Sequence, residues 1–309
     1  MKILQIGTRG SRLALWQAEH VASELKKAKP DLKINIQVIK TIGDKILDVA
    51  LSHIGDKGLF TKEIENQLIK KNIDIAVHSM KDMPSELEPD LCIGAVLKRE
   101  NPQDVLISHK DYRFKDLPMN AVIGTSSLRR AALLKVIRPD ISTVDIRGNV
   151  ETRIRKMKEQ NLDGIILAFA GVRRLGFEGL ITDILPCDLL MPAVGQGAIA
   201  IECRSADQDI LKLLQEINHR STFLATMAER GFLNELEGGC QVPIGSLAYI
   251  KEEILILQGV VASLNGKKCF RASREGNCQD AELIGRQLAR QLLQEGAGRI
   301  LQEIRNTGD

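Results

Sequence analysis

The chain has 309 residues, of which 44% are hydrophobic and 27% are charged, a composition typical of a soluble globular protein of two or three domains. Its net charge of +3 argues against a general nucleic-acid binder, and its 3% aromatic content argues against recognition by base stacking. The six cysteines show no zinc-site spacing, no apolar run reaches membrane-spanning length, and residues 1–7 predict a strand rather than a signal peptide. These features predict a cytoplasmic protein with reduced thiols and no metal site.

Strands and helices alternate over the first two thirds of the chain. In chain order the first series has a strand at 3–7, a helix at 11–27, a strand at 34–40, a helix at 61–71, and strands at 73–77, 91–97 and 105–108. The second series has strands at 122–124, 143–146, 163–168 and 198–202, with helices at 126–137 and 150–159. Strands separated by single helices predict parallel βαβ sheets covered on both faces.

The pattern changes after about residue 215. A long helix at 221–236 precedes strand-like runs at 244–250, 254–261 and 268–273, and the chain ends in a helical segment at 281–304. This order predicts a separate α+β domain with an antiparallel sheet. Residues 94–104 and 192–197 are candidate crossings between domains.

Three predicted turns lead from a strand into a helix and carry serine, threonine or arginine: residues 8–12, 124–130 and 147–153. A helix N-terminus exposes unpaired N–H groups at the positive end of the helix dipole, and arginine pairs with carboxylates in a bidentate fork. One such turn is typical of an ordinary helix cap. Three of them, at the carboxyl ends of strands, predict a ligand with several carboxylates or phosphates.

A carboxylate follows the strand at 73–77. Asp82 at the mouth of a cleft would accept N–H donors or stabilise a developing cation, although Lys81 and Asp82 also fit a simple surface turn before Pro84. His78 is interpreted as a strand histidine with a satisfied partner. The glycine-containing residues 41–58 predict a mobile loop or lid.

Cys240 lies in a loop punctuated by glycine and proline, within residues 236–245. The two glycines before it permit close approach by another molecule, and a thiolate there would allow covalent attachment. A small apolar side chain filling a turn is the alternative interpretation. Together these features indicate an arginine-rich cleft between two α/β domains, holding one carboxylate, with a cysteine loop presented by a third domain.

In this combination the chain resembles the porphobilinogen deaminase (hydroxymethylbilane synthase) family. The matching segments follow in order over nearly the whole chain: Thr8–Ala18, Lys57–Phe60, Asp74–Asp82, Gly124–Arg130, Arg147–Val150, Leu190–Gly197 and Glu237–Gly245. The resemblance implies an α/β fold with two domains like the lobes of periplasmic solute-binding proteins and a small α+β C-terminal domain. The expected boundaries are 1–97 with 198–215 for a discontinuous first domain, 98–197 for the second and 216–309 for the third.

The resemblance also implies a transferase of tetrapyrrole biosynthesis that condenses four porphobilinogen molecules into hydroxymethylbilane and releases ammonia. It implies a monomer with no metal and with a dipyrromethane cofactor held by a thioether to Cys240, and it assigns the catalytic carboxylate to Asp82. The implied cofactor-binding residues are Cys240, Lys81, Asp82, Thr125, Ser126, Ser127, Arg129, Arg130, Arg147 and Gly148. The implied substrate-binding residues are Arg9, Ser11, Gln17, Arg147, Arg153 and Gln196.

One position departs from the family pattern, because His53 stands in the lid where a lysine is expected. A histidine is shorter and mostly neutral near pH 7, so the charged contact of the lysine does not carry over to it. Two other functions are compatible with parts of the pattern. A non-catalytic polycarboxylate-binding protein would explain the arginine turns but not Cys240 or Asp82. A cysteine hydrolase would need a histidine base, and no local motif pairs a histidine with Cys240.

Overall fold

The structure is a computed structural model of the chain. It describes residues 3–41, 61–237 and 242–306. Most of the predicted lid, including His53 and residues 57–60, lies outside the described residues, and so does Cys240.

The described elements follow the predicted alternation closely. The strands are β1 (Leu4–Thr8), β2 (Ile34–Val38), β3 (Ile75–Ser79), β4 (Leu91–Val96), β5 (Asp104–Ile107), β6 (Val122–Gly124), β7 (Ser142–Val144), β8 (Gly164–Ala168), β9 (Asp183–Leu185), β10 (Ile199–Arg204), β11 (Ile244–Lys251), β12 (Ile254–Ala262) and β13 (Cys269–Asn277). The helices are α1 (Arg12–Ala28), α2 (Lys62–Ile69), α3 (Leu128–Ile137), α4 (Val150–Glu159), α5 (Phe169–Arg174), α6 (Gln208–Gln215), α7 (Arg220–Glu235), α8 (Ala281–Leu292) and α9 (Gly298–Asn306).

Two five-stranded sheets share one topology. Their strand orders are β2-β1-β3-β10-β4 and β7-β6-β8-β5-β9. In each sheet the first three strands are parallel and the fourth is antiparallel to both of its neighbours. The prediction of purely parallel sheets is therefore wrong for β5 and β10. Both strands enter after a crossing from the other sheet rather than after a helical crossover, so nothing forces them to run parallel to their neighbours.

Helix α1 shows why the sequence folds locally as it does. Ser11 accepts a hydrogen bond from the backbone N–H of Ala14 and so caps the helix, while Val21 and Leu25 bury its apolar stripe against the first sheet. The helix ends just before Pro30, which cannot continue it. At α2 the predicted cap Thr61 occupies the N-cap position without making a side-chain cap bond.

The third sheet is antiparallel, in the order β11-β12-β13, and it packs on α7 and α8. Phe232 fills the contact between them, and a Cβ at Gly259 would lie 2.5 Å from its ring, so only glycine fits there. The predicted fold class is thus confirmed: two α/β units of one topology are followed by a small α+β unit. The exact domain boundaries remain a prediction.

The end of the chain differs from the single helical segment that was predicted. A short π-helical stretch, Leu293–Ala297, separates α8 from α9, and Gly296 within it has a φ of 117°, which strongly favours glycine. The short strand β9 and the helix α6 have no counterpart among the predicted elements. None of the helices within the described residues combines the length and apolar composition needed to cross a membrane.

Candidate active site

The three predicted turns all deliver a capped helix N-terminus at the carboxyl end of a strand. Besides Ser11 on α1, Ser127 accepts a hydrogen bond from the N–H of Arg130 at the start of α3, and Asn149 accepts one from Thr152 at the start of α4. The second and third turns are adjacent, because the N–H of Thr125 bonds to the last carbonyl of β7. The structure therefore brings the two turns of the second sheet to one edge.

The first lobe presents an open pocket of about 70 Å³ beside α1 and β3. Four of the predicted site residues line it: Arg9, Ser11, Gln17 and Asp82. Gln17 is buried and its side-chain amide donates to the Ser79 hydroxyl at 2.9 Å, which fixes its orientation. The predicted substrate face of the first lobe is thus one continuous surface.

Asp82 is exposed at the end of a short 3-10 turn, Met80–Asp82, that directly follows β3. Met80 is buried beneath the turn, and its N–H bonds to the carbonyl of Ala198 at 3.0 Å. Gly195 packs against the same turn with a φ of 69°, and a Cβ there would lie 2.4 Å from the Met80 Cγ. The segment 192–197 therefore supports the backbone that carries Asp82.

Cationic side chains from both lobes converge near Asp82. Burial lowers the pKa of Lys81, with Arg130 adding to the effect and Asp82 opposing it. Burial and the neighbouring Arg130 lower the pKa of Arg153 to about 10, again against the pull of Asp82. The Nε of Arg153 donates to the carbonyl of Gly148 at 2.8 Å, and Gly148 has a φ of 118° that suits glycine. A strongly positive environment therefore surrounds one exposed carboxylate.

Arg129 and Arg130 are held differently, because both pair with the buried carboxylate of Asp104. Arg129 Nη2 lies 2.8 Å from Asp104 Oδ2, and Arg130 Nη2 lies 2.7 Å from Oδ1. The side-chain amide of Gln196 donates to the same carboxylate at 2.9 Å. Burial alone would raise the pKa of Asp104, but the two guanidinium groups and the amide outweigh it and lower the pKa to about 2.

Asp104 is a site residue that the sequence interpretation missed. The sequence shows an acidic residue directly before the apolar run at 105–108, but nothing local to it indicates a pairing with the two consecutive arginines at 129 and 130. Despite this pairing, Arg129 keeps one donor available: its buried Nε has no hydrogen-bond partner among the described residues. A buried donor without a partner is costly, and an anionic ligand would satisfy it.

Two further side chains hold the crossings in place and were also missed. Glu229 of α7 accepts from Arg99 Nη2 at 3.1 Å and from the N–H groups of Gly195 and Ala248 at 2.7 and 2.8 Å. It therefore ties the third unit to both crossings with one buried carboxylate. Arg174 donates to the carbonyl of Gly197 at 2.7 Å, and burial lowers its pKa to about 10. No local pattern in the sequence distinguishes Arg174 from an ordinary surface arginine.

The remaining predicted residues lie in the same region. The hydroxyl of Thr125 accepts from the N–H of Ser127, and that of Ser126 donates to the carbonyl of Ile146 at 2.6 Å. Arg147 pairs with Asp145, with 3.0 Å between Nε and Oδ2. Within the described ranges no group of three or more histidine, cysteine, aspartate or glutamate side chains is placed to hold a metal ion.

His78 lines the first-lobe pocket but points to a partner inside the protein. Its Nε2 lies 3.2 Å from Oε2 of Glu202, and both side chains are buried. This agrees with its interpretation as a strand histidine with a satisfied partner.

Comparison with known proteins identifies the family of the chain. The model of the "Porphobilinogen deaminase, dipyromethane cofactor binding domain" family matches residues 4–212, and that of the "Porphobilinogen deaminase, C-terminal domain" matches residues 223–294. The chain belongs to the porphobilinogen deaminase family. The predicted family membership is confirmed.

Close relatives cover the chain from end to end. A porphobilinogen deaminase of Syntrophomonas wolfei is 64% identical over 99% of this chain and 100% of its own length. One from Carboxydothermus hydrogenoformans is 54% identical over 97% of this chain and 96% of its own length. Among solved structures, a TRAP periplasmic solute binding protein from Desulfovibrio salexigens covers 71% of this chain and 73% of its own, with 10% identity and a TM-score of 0.43. The strand order, and not this last likeness, defines the fold described above.

Proposed function

We propose that the protein is a hydroxymethylbilane synthase, a transferase that condenses four porphobilinogen molecules head to tail into a linear tetrapyrrole and releases ammonia. The observation that carries the proposal is the family match over nearly the whole chain, with an exposed Asp82 standing among cationic side chains from both lobes. A polycarboxylate-binding protein would not need this carboxylate, which repels anions.

Asp82 is the proposed catalytic residue. Ammonia leaves the aminomethyl group of porphobilinogen as positive charge develops on the pyrrole ring, and a carboxylate beside the ring N–H stabilises that charge. The stabilisation is greater in the transition state than in the bound substrate, so it accelerates the reaction rather than only tightening binding. Met80 and Gly195 support the turn from beneath and keep the carboxylate in place, so no reorganisation of the site is needed during the reaction.

The substrate carboxylates are proposed to bind between the lobes. Arg9, Ser11 and Gln17 would hold them from the first lobe, and Arg147 and Arg153 from the second. Charge-assisted hydrogen bonds from arginine are among the strongest available, and two lobes that contact the same ligand also orient it.

The residues of the second lobe fit the family's dipyrromethane cofactor. Bound dipyrromethane would supply the terminal ring to which the first substrate is joined. The cofactor's carboxylates would accept hydrogen bonds from the unpartnered Nε of Arg129. They would also accept from Lys81, Arg130 and Arg147. The neighbouring hydroxyls and backbone would complete the contacts, from Thr125, Ser126, Ser127 and Gly148. Cys240 is proposed as the thioether attachment point, and Gln196 as a contact that also braces Asp104.

The strand order supports the expected domain boundaries. We propose a first domain of residues 1–97 and 198–215, a second of 98–197 and a third of 216–309. The support is that β10 lies between β3 and β4, so the chain leaves the first sheet after β4 and returns to it after β9. A cytoplasmic monomer remains the proposed state of the enzyme.

The test is turnover of porphobilinogen, followed by ammonia release and hydroxymethylbilane formation. We expect Asp82→Asn to lower kcat by about 100-fold or more, as expected for loss of a group that stabilises developing charge. Asp31→Asn is the matched control, because Asp31 is exposed in the loop between α1 and β2, at the opposite end of the sheet. Wild-type rates in Asp82→Asn would remove Asp82 from the mechanism. Absence of turnover in the wild-type protein would contradict the function itself.

A further inference from the structure

One acidic side chain of the chain itself stands among the cationic ligand-binding residues of the second lobe. Asp145 directly follows β7, and its Oδ2 lies 3.0 Å from Nε of Arg147. Its side chain is 57% exposed, whereas that of Arg147 is 23% exposed. The carboxylate therefore lies on the solvent side of the arginine, where an incoming ligand approaches.

The surroundings of Asp145 are the donors proposed above for ligand carboxylates. Its carboxylate is paired with Arg147, and Arg153 lies within electrostatic range, whereas the one hydroxyl proton of nearby Ser126 is donated to the carbonyl of Ile146. Partial burial raises the pKa of Asp145, but its neighbours outweigh it and lower the pKa below the usual range. A charged carboxylate of the chain thus makes the contacts that an acetate or propionate group would make.

We infer that Asp145 is a specificity-determining residue that competes with the carboxylates of substrate and growing product for Arg147. The inference rests on the proposed function, because it concerns the same cleft. An incoming carboxylate must displace Asp145 or share its donors, and the exposed position lets the side chain rotate into solvent without rearranging the lobe. Asp145 therefore weakens binding at this point of the cleft.

Weak binding at this position has a use in a stepwise condensation. Each addition requires the chain's carboxylates to leave one set of donors before the next unit binds. An internal carboxylate that takes over the vacated guanidinium donor of Arg147 lowers the cost of that release. Asp145 thus lowers the affinity for ligand carboxylates and speeds their release.

The test compares two neutral variants, Asp145→Asn and Asp145→Ser, with Asp140→Asn. Asp140 carries the same charge but lies before the other end of β7, away from the cleft turns. Its Oδ2 is 2.6 Å from Nη2 of Arg138. We expect both Asp145 variants to lower the KM for porphobilinogen about two- to fivefold, the range of an exposed ion pair, with kcat unchanged or reduced. Asp140→Asn should change neither constant.

A second measurement uses succinate, an inert dicarboxylate, in calorimetric titrations of the same proteins. Its dissociation constant should fall in both Asp145 variants by the same two- to fivefold and stay unchanged in Asp140→Asn. An unchanged or raised KM and succinate dissociation constant in the Asp145 variants would overturn the inference, because Asp145 would then only orient Arg147. If the wild-type protein fails to turn over porphobilinogen, the proposed function fails, and the succinate titration still decides the competition.

Discussion

Two pairs of arginines on neighbouring turns of the second lobe have different environments. Arg129 and Arg130, at the start of α3, are buried and share the fully buried carboxylate of Asp104. Arg147 and Arg153, around the start of α4, are only partly buried and face the largely exposed Asp145. Each pair has two cations for one carboxylate, but the inner ion pairs are closed off from solvent, whereas the outer pair lies where a ligand can reach it.

The difference shows that the number of arginines at a sheet edge does not measure its ligand-binding capacity. A buried counter-charge converts an arginine into part of the scaffold, since a buried ion pair is costly to separate. For the inner pair, ligand binding is then limited to donors that Asp104 does not use, such as the Nε of Arg129. Substitutions at Asp104, Arg153, Arg12 and Glu151 test this difference, in descending order of the change that we expect.

The largest effect is expected for Asp104→Asn. It leaves two buried guanidinium groups without their counter-charge, which should lower the free energy of unfolding by about 3–5 kcal/mol. Equilibrium urea unfolding measures the change, and Asp116→Asn, which removes an exposed carboxylate from the same lobe, should leave the unfolding midpoint unchanged. An Asp104→Asn midpoint equal to that of the wild-type protein would show that the inner pair is not held by its counter-charge.

The same carboxylate predicts an acid dependence of stability. The pKa of Asp104 is lowered from 3.8 to about 2 on folding, so its stabilisation is fully present above about pH 4 and is lost as the pH falls through 2. This component amounts to about 2 kcal/mol. The difference in unfolding free energy between the wild-type protein and Asp104→Asn should therefore shrink between pH 4 and pH 2. A difference that stays constant over this range would contradict the lowered pKa.

For the outer pair the expected effect is on catalysis. Arg153→Met removes a charge-assisted contact to a substrate carboxylate, worth about 1.5 kcal/mol, and should lower kcat/KM about tenfold. Arg155→Met is the matched control, since Arg155 is exposed on the same helix and lies 3.6 Å from Glu159. Unfolding in urea should change little in either variant. Equal kinetics in both variants would place Arg153 outside the substrate site.

The smallest effect is expected where the lobes meet at the surface. Arg12 of α1 pairs with Glu151 of α4, joining two of the strand-to-helix turns across the cleft, but both side chains are well exposed. An exposed pair contributes about 0.2–1 kcal/mol and is screened by salt. A double-mutant cycle with Arg12→Ala and Glu151→Ala should give a coupling in this range for KM that disappears at high salt. A larger, salt-insensitive coupling would mean that this pair controls closure of the lobes.

Hydrophobic periodicity and cap residues were sufficient to predict most elements and all three strand-to-helix turns. Helix α4 begins and ends as predicted, because Asn149 caps it and its apolar stripe is regular. The direction of β5 and β10 was not predictable, since it depends on which sheet the chain enters after each crossing. The role of Asp104 was also not predictable, because pairing between residues 25 apart depends on tertiary packing and leaves no local pattern.

In the proposed tetrapyrrole synthase, the primer is tethered to Cys240. Intact-protein mass spectrometry of freshly purified material, followed by peptide mapping, tests this attachment. We predict a mass excess of two porphobilinogen units less two ammonia molecules, located on the peptide that contains Cys240. Protein that lacks the adduct at first should gain it on incubation with porphobilinogen. A Cys240 peptide that stays unmodified after incubation, in protein that still forms hydroxymethylbilane, would contradict the claim.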